Sequence, residues 1–333
     1  MDVPIPLWFE ITSIIVMVAV IGFDLVLAYR RPHIPSSRES GIWIAFYVGL
    51  ALIFAVLLFV VGGATPATQF VAGWLTEYSL SIDNLFVFVI IMARFAVPRT
   101  IQQEVLMVGI IIALLLRLIF ILLGVALINN FGWIFYFFGA FLIYTAIHQI
   151  ATHGKEDDED SEGRMIGFLR RHIRITPGFD GAHLTTRVDG QRMLTPVLLV
   201  FVALGATDLI FALDSIPAIF GITQDAFLVF AANVFALMGL RQLYFLLGTL
   251  INRLAYLAYG IAAILIFIGL KLVFHALHTN QVPFINGGEP VEWAPEISTI
   301  ASLVFIIVAM GVAIVASLIK MRIDAGREES GGS

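Results

Sequence analysis

Apolar residues in this chain fall into long, nearly unbroken runs, without the alternation of a half-buried strand or the one-sided stripe of a soluble amphipathic helix. Nine such runs cover approximately residues 7–29, 42–61, 70–93, 105–128, 131–150, 195–220, 227–250, 255–277 and 297–319. About 20 apolar residues in helical form cross the roughly 30 Å of hydrocarbon in a bilayer, and a helix satisfies its own backbone polar groups there. The pattern predicts an all-α polytopic membrane protein with about nine transmembrane helices.

The polar segments between the runs set the orientation. Basic residues follow the first run (Arg30, Arg31, Arg38), the third (Arg94, Arg99), the fifth (from Lys155 to Arg192), the seventh (Arg253) and the ninth (Lys320, Arg322, Arg327). The alternate loops, starting at Gly62, Asn129, Gly221 and Ala276, contain no Lys or Arg. Cytoplasmic loops are the ones enriched in Lys and Arg, so the N-terminus is expected outside and the C-terminus in the cytoplasm. The start, Met1-Asp-Val-Pro, lacks the basic segment of a cleaved signal peptide, so the first run reads as a retained span.

Composition agrees and excludes several classes. With 60% hydrophobic and 13% charged residues over 333 positions, the chain is too apolar for a soluble globule of ordinary make-up. It has no cysteine, hence no disulfide framework, thiolate metal site or cysteine nucleophile. Its basic residues form no large patch on a soluble domain, so nucleic acid is not an expected partner. No HExxH or serine-elbow pattern appears, and Gly205-Ala-Thr-Asp208 is a poor match to the Gly-x-Gly-Asp of intramembrane aspartyl proteases. No enzymatic activity and no organic cofactor are expected.

An internal repeat emerges when the third to fifth runs are laid on the sixth to eighth. Glu77-x5-Asp83-Asn84 matches Asp208-x5-Asp214-Ser215, Leu116-Arg117 through Gly124 matches Leu240-Arg241 through Gly248, and His148 falls opposite Lys271. A unit with an odd number of spans must invert on repetition. Inverted repeats are the build of many secondary transporters, with substrate and ion sites near the midplane between the copies. The expected organisation is two N-terminal helices (1–69), a first three-helix repeat (70–150), a cytoplasmic loop (151–193) and a second, inverted repeat (194–278). An extracytoplasmic loop (279–296), a last helix (297–320) and a cytoplasmic tail (321–333) follow, with disorder expected from Asp324.

Acids inside a bilayer are costly and mark ion or proton pathways, which makes Glu77, Asp83, Asp208 and Asp214 the candidate site. On a regular helix, residues six apart diverge by about 120° and residues seven apart by only about 20°. Glu77 therefore shares a face with Asn84, and Asp208 with Ser215, while each second aspartate points elsewhere. For all four acids to meet, the helices must be locally unwound or must line a cavity from two sides. Gly73, Ser79 and Ser81 loosen the first copy, and Gly205, Thr207 and Pro217 the second. Carboxylate, amide, hydroxyl and carbonyl oxygens suit a hard divalent cation. Arg117 and Arg241 are expected to neutralise the acids when no metal is bound. Asp24 is within reach of Arg30 for a snorkelling salt bridge. Asn233 reads as helix-helix glue, and Asn84 and Ser215 as ligands or as such glue.

The stretches Glu-Tyr-Ser-Leu-Ser-Ile-Asp-Asn-Leu-Phe-Val-Phe (77–88) and Thr-Asp-Leu-Ile-Phe-Ala-Leu-Asp-Ser-Ile-Pro-Ala (207–218) resemble the signature of the TerC family of integral membrane proteins, named for tellurium resistance. The likeness extends over nearly the whole chain. It implies efflux of Mn²⁺ across a bacterial cytoplasmic membrane, where spacing and composition imply only a hard cation. The second copy departs from the first in carrying Asp208 and Ser215 in place of Glu77 and Asn84. The expected metal ligands are thus Glu77, Asp83, Asn84, Asp208, Asp214 and Ser215, with Mn²⁺ as transported substrate, protons as counter-ion and the lipid bilayer as the surrounding partner. The alternatives are a Ca²⁺/cation antiporter and a stress-response scaffold acting through the 151–193 loop. That loop holds an acidic run (156–160) and a stretch from Met165 to His172 with the pattern of a short amphipathic surface helix.

Overall fold

Backbone amides and carbonyls in hydrocarbon have no water to bond, so each apolar run closes into a helix. The computed structural model describes residues 5–30, 35–152, 175–176, 178–188, 191–247, 256–280, 282–283 and 285–331. Its helices are α1 (Leu7–Arg30), α2 (Ser37–Gly62), α3 (Ala64–Arg94), α4 (Arg99–Asn130) and α5 (Ile134–Thr152), followed by α6 (Val197–Phe220), α7 (Ala226–Leu237), α8 (Leu240–Leu247), α9 (Leu257–His278) and α10 (Thr299–Gly331). With α7 and α8 counted together, nine helical segments among the described residues are long and apolar enough to cross a membrane.

Local chemistry fixes the helix ends. Ser36 caps α2 by accepting from the Glu39 amide at 3.2 Å, and the Asp225 carboxylate caps α7 through the Phe227 and Leu228 amides at 2.9 and 3.2 Å. Both satisfy amide donors that a helix leaves open in its first turn. The acidic helices α3 and α6 run without a break, α6 keeping Pro217 inside. Of the two alternatives, local unwinding or a cavity lined from two sides, unwinding does not occur beside the acids: the interruption lies at Met238–Gly239, in the span that carries Arg241. There Met238 is extended (ψ 125°) and Gly239 takes φ +87°, a conformation that costs other residues a clash with their own backbone. A side chain at Gly239 would also meet Tyr47 Cδ2 at 3.0 Å.

Packing follows the repeat. Helix α3 packs on α7 and its counterpart α6 on α4, while α5 packs on α9 and α3 on α6. Exchanging the two copies maps these contacts onto themselves, as a pseudo-twofold axis requires. At the α5–α9 crossing a Cβ on Gly139 would sit 2.7 Å from Gly269 O, and one on Gly269 would sit 2.9 Å from Gly139 O. Paired small residues let membrane helices approach this closely. Large apolar side chains on α1, α2 and α10, among them Ile15, Phe23, Val60 and Val312, are exposed and form the face for lipid.

Along α3 the core divides in two. Phe70 belongs to an aromatic cluster with Phe54 and Phe235, whereas Leu85 and Ile91 join Val105, Val200 and Leu204 in a second apolar cluster. Glu77 lies between them in sequence, at the seam. In the 151–193 segment the described part ends in a hairpin, β1 (Thr185–Val188) antiparallel to β2 (Gln191–Leu194), with Arg187 opposite Arg192. The acidic run and the amphipathic stretch expected in that loop lie outside the described residues. Helix α10 continues to Gly331, which corrects the expected disorder from Asp324: Ala325, Arg327, Glu328 and Glu329 are good helix formers and extend the span.

Candidate cation-binding site

Three helices aim polar groups at one buried point. Arg117, from the middle of α4, places Nη1 2.5 Å from Glu77 Oε2 on α3 and 2.7 Å from Asn233 Oδ1 on α7. Its Nη2 is 3.7 Å from Asp208 Oδ1 on α6. Glu77, Arg117, Asn233 and Asp208 are 0%, 1%, 2% and 3% exposed, so a cluster of ionisable and polar groups sits away from bulk water. Two repeat-equivalent acids thus converge on one arginine, and the amide expected to be structural glue, Asn233, is part of the cluster.

The cluster is incompletely satisfied. Glu77 Oε1, Asp208 Oδ2, Arg117 Nε and Nη2, and Asn233 Nδ2 have no hydrogen-bond partner, and neither do Ser81 Oγ, Asn84 Nδ2 and Ser215 Oγ close by in sequence. Buried polar atoms are ordinarily paired, and an orphan calls for a missing water or ion. A void of about 10 Å³, the room of one water, is lined by Ser81, Asn84, Arg117 and Asp208 together with Ile110 and Leu237.

The other expected site residues are distributed by helix geometry. Asp214, about 120° around α6 from Asp208, is half-buried, with the Thr145 hydroxyl of α5 donating to it at 3.5 Å. Ser215 is 1% exposed on α6. The Asp83 side chain lies outside the described residues. Among the described residues no three carboxylate or imidazole groups stand close enough to hold a metal ion; the guanidinium occupies the space between Glu77 and Asp208.

Arg241 does not join the acids. It reaches across to α1, with Nη2 2.9 Å from Asp24 Oδ1, and Tyr47 donates to the same oxygen at 2.7 Å. This corrects both the gathering of the two arginines and the Asp24–Arg30 pairing: the bend at Met238–Gly239 redirects Arg241 towards α1. Tyr47 carried no signal in the sequence beyond lying in a span. Asp24, Tyr47 and Arg241 border a second void of about 20 Å³, also lined by Ile110 and Leu237. These two apolar residues therefore stand between the acid cluster and the half of the protein that the basic loops assign to the cytoplasm.

The opposite side is more open. A cavity of about 440 Å³ is lined by Gln69, Thr223, Gln224, Lys271, His275 and Glu296, all near the loops that lack Lys and Arg. Gln69 lies two turns before Glu77, about 12 Å along α3 at 1.5 Å per residue. Gly73 lies between them, where an added Cβ would meet Ile219 at 3.3 Å, so α6 presses directly on this stretch. Lys271 lines this cavity and donates to the Ser302 hydroxyl at 3.0 Å. His148, at the end of α5, has its ring 6.0 Å from that of Tyr144, and His278 is 3.4 Å from Glu296.

Residues 62–325 match the model of the integral membrane protein TerC family. The chain belongs to the TerC family. An uncharacterized membrane protein of Mycobacterium tuberculosis is 46% identical over 298 residues, covering 89% of this chain and 75% of the relative. An uncharacterized membrane protein of Myxococcus xanthus is 40% identical over 308 residues, covering 92% and 90%. A TerC relative in Escherichia coli K12, named a putative membrane-bound redox modulator, is 38% identical over 270 residues, covering 78% and 83%. No solved structure matches this TerC protein.

Proposed function

We propose that this TerC protein exports a hard divalent cation, Mn²⁺ foremost, from the cytoplasm across a bacterial cytoplasmic membrane. The observation that carries the reading is the convergence of Glu77 and Asp208, from equivalent positions of two inverted repeats, on one buried cationic group. Carboxylates with Asn84, Ser81 and Ser215 nearby in sequence are oxygen donors of the kind Mn²⁺ takes, and the orphaned atoms around them are open to a ligand. The larger cavity lies on the side expected to face outward, and Ile110 and Leu237 stand between the acids and the smaller void on the other side. Rocking one repeat against the other would reverse that access while the acids stay at the centre.

Moving positive charge outward against an inside-negative potential costs about 2.3 kcal/mol per charge per 100 mV. Protons exchanging for the metal at the same carboxylates are the proposed counter-ion. The redox role in a relative's name offers a second reading, but this chain has no cysteine, so redox influence through its own thiols is closed to it.

Equilibrium binding tests the site. Titration of the purified, detergent-solubilised protein into Mn²⁺, followed by loss of the free-ion EPR signal, is expected to show saturable binding. Glu77→Gln and Asp208→Asn should each weaken it by about tenfold or more, the equivalent of 1.4 kcal/mol. Unchanged binding in the double variant would contradict the proposal.

A further inference from the structure

The acid pair already holds a cation, and that cation belongs to the chain. Arg117 Nη1 lies 2.5 Å from Glu77 and 2.7 Å from Asn233, and Nη2 lies 3.7 Å from Asp208. We infer that Arg117 is a tethered substitute for the cargo: it fills the acid pair when the metal leaves, must withdraw before the metal enters, and lets the unloaded carrier reorient. The inference rests on the reading of Glu77 and Asp208 as cargo ligands.

Charge supplies the reason. Two carboxylates present two negative charges at membrane depth, and a divalent ion neutralises both. Once it departs, the bare pair would stand uncompensated at the low-dielectric centre while access reverses, where such charge is most expensive. A guanidinium drawn into the gap restores one of the two charges from within the protein, whatever the counter-ion restores of the other.

The geometry is that of a displaceable occupant. A permanent arginine-carboxylate pair is typically a fork, with two parallel N–H···O bonds to one carboxylate. Here a single nitrogen, Nη1, makes both hydrogen bonds of the guanidinium, Nη2 stands only at ion-pair distance from Asp208, and Nε, Glu77 Oε1 and Asp208 Oδ2 have no hydrogen-bond partner. The guanidinium also borders a void. Its repeat counterpart, Arg241, is held on Asp24, so a single arginine serves the pair in this state.

A self-occupied site lowers the apparent affinity of its ligand in proportion to the time it is blocked. Loaded-carrier exchange needs only the metal-bound form to reorient, whereas net efflux also needs the empty form to return. The experiment is Mn²⁺ movement in proteoliposomes measured two ways, as exchange with Mn²⁺ on both sides and as net efflux into metal-free medium, with Mn²⁺ binding measured in parallel. For Arg117→Gln, binding should tighten by about tenfold if the guanidinium fills the site about nine-tenths of the time. Exchange should persist while net efflux falls by a similar factor. Arg117→Lys, which keeps a cation, should retain net efflux better than Arg117→Gln. Asn233→Leu, which removes one hold on the guanidinium, should shift affinity in the same direction as Arg117→Gln and provides the readout should that variant not fold. Equal losses of exchange and net efflux in folded Arg117→Gln, or weaker binding in Asn233→Leu, would overturn the inference while leaving metal transport intact. A wild-type protein that neither binds nor moves Mn²⁺ would overturn the underlying function instead.

Discussion

Arg117 Nη1 stands 2.5 Å from Glu77 Oε2, with the two side chains 2% and 0% exposed. Arg241, the same position of the second repeat, instead reaches 2.9 Å to Asp24 at a more accessible place, 12% and 18% exposed. One repeat thus commits its arginine to the buried acid cluster and the other to the half of the protein that carries the basic loops.

That difference in depth predicts unequal costs. Breaking a buried ion pair by removing one partner costs about 3–5 kcal/mol, because the remaining charge is uncompensated, whereas replacing both partners by apolar groups can be close to neutral. Glu77→Met is expected to lower the thermal unfolding midpoint in detergent strongly, and Glu77→Met with Arg117→Met should cost less than the sum of the two single changes. An additive pair would show that the two side chains are not coupled.

The bend at Gly239 predicts a glycine that cannot be replaced. Gly239→Ala forces a left-handed conformation on an L-residue at a cost of about 1–2 kcal/mol and brings a methyl within 3.0 Å of the Tyr47 ring. Gly49→Ala on α2, where a Cβ would meet nothing within 4 Å, should stay within about 1 kcal/mol of the parent or gain from better helix propensity. Unfolding midpoints of the two variants, measured side by side, check the contrast.

Because the chain contains no cysteine, single introduced thiols report access without background. Gln69→Cys and Thr223→Cys, in the 440 Å³ cavity, are expected to react from outside intact cells with a membrane-impermeant maleimide. Asn84→Cys, 7% exposed at the acid cluster, should react at least about tenfold more slowly, since thiol reactivity follows access. Labelling of Gln69→Cys only after the membrane is permeabilised would reverse the assigned orientation.

The spans could be read from the sequence because hydrocarbon leaves the backbone few choices, so apolar length alone identifies a helix. The acids could be singled out as a candidate site for a related reason, namely the cost of charge at that depth. Helical arithmetic also anticipated that Asp214 would point away from Asp208, as its approach to Thr145 shows. What was hidden depended on tertiary contact. Asp24 and Arg241 are 217 positions apart, and nothing local to either names its partner, while Arg30 offered a nearer and wrong one. The Met238–Gly239 bend was hidden too, since glycine is common in transmembrane helices and this one sits in an apolar run. Asn233 carried too little signal of its own; only its distance to Arg117 distinguishes it from an amide bonding helix to helix.

If Glu77 and Asp208 form the point through which a divalent cation leaves the cell, removing both carboxylates must stop its movement. The most direct measurement is Mn²⁺ flux in proteoliposomes, comparing the wild type with the Glu77→Gln, Asp208→Asn double variant at equal reconstituted amounts. Saturable flux is expected in the wild type and a fall of at least about tenfold in the double variant, the equivalent of 1.4 kcal/mol, because two acids that share Arg117 do not lose independently. Flux in the double variant equal to that of the wild type would contradict this role of the two acids.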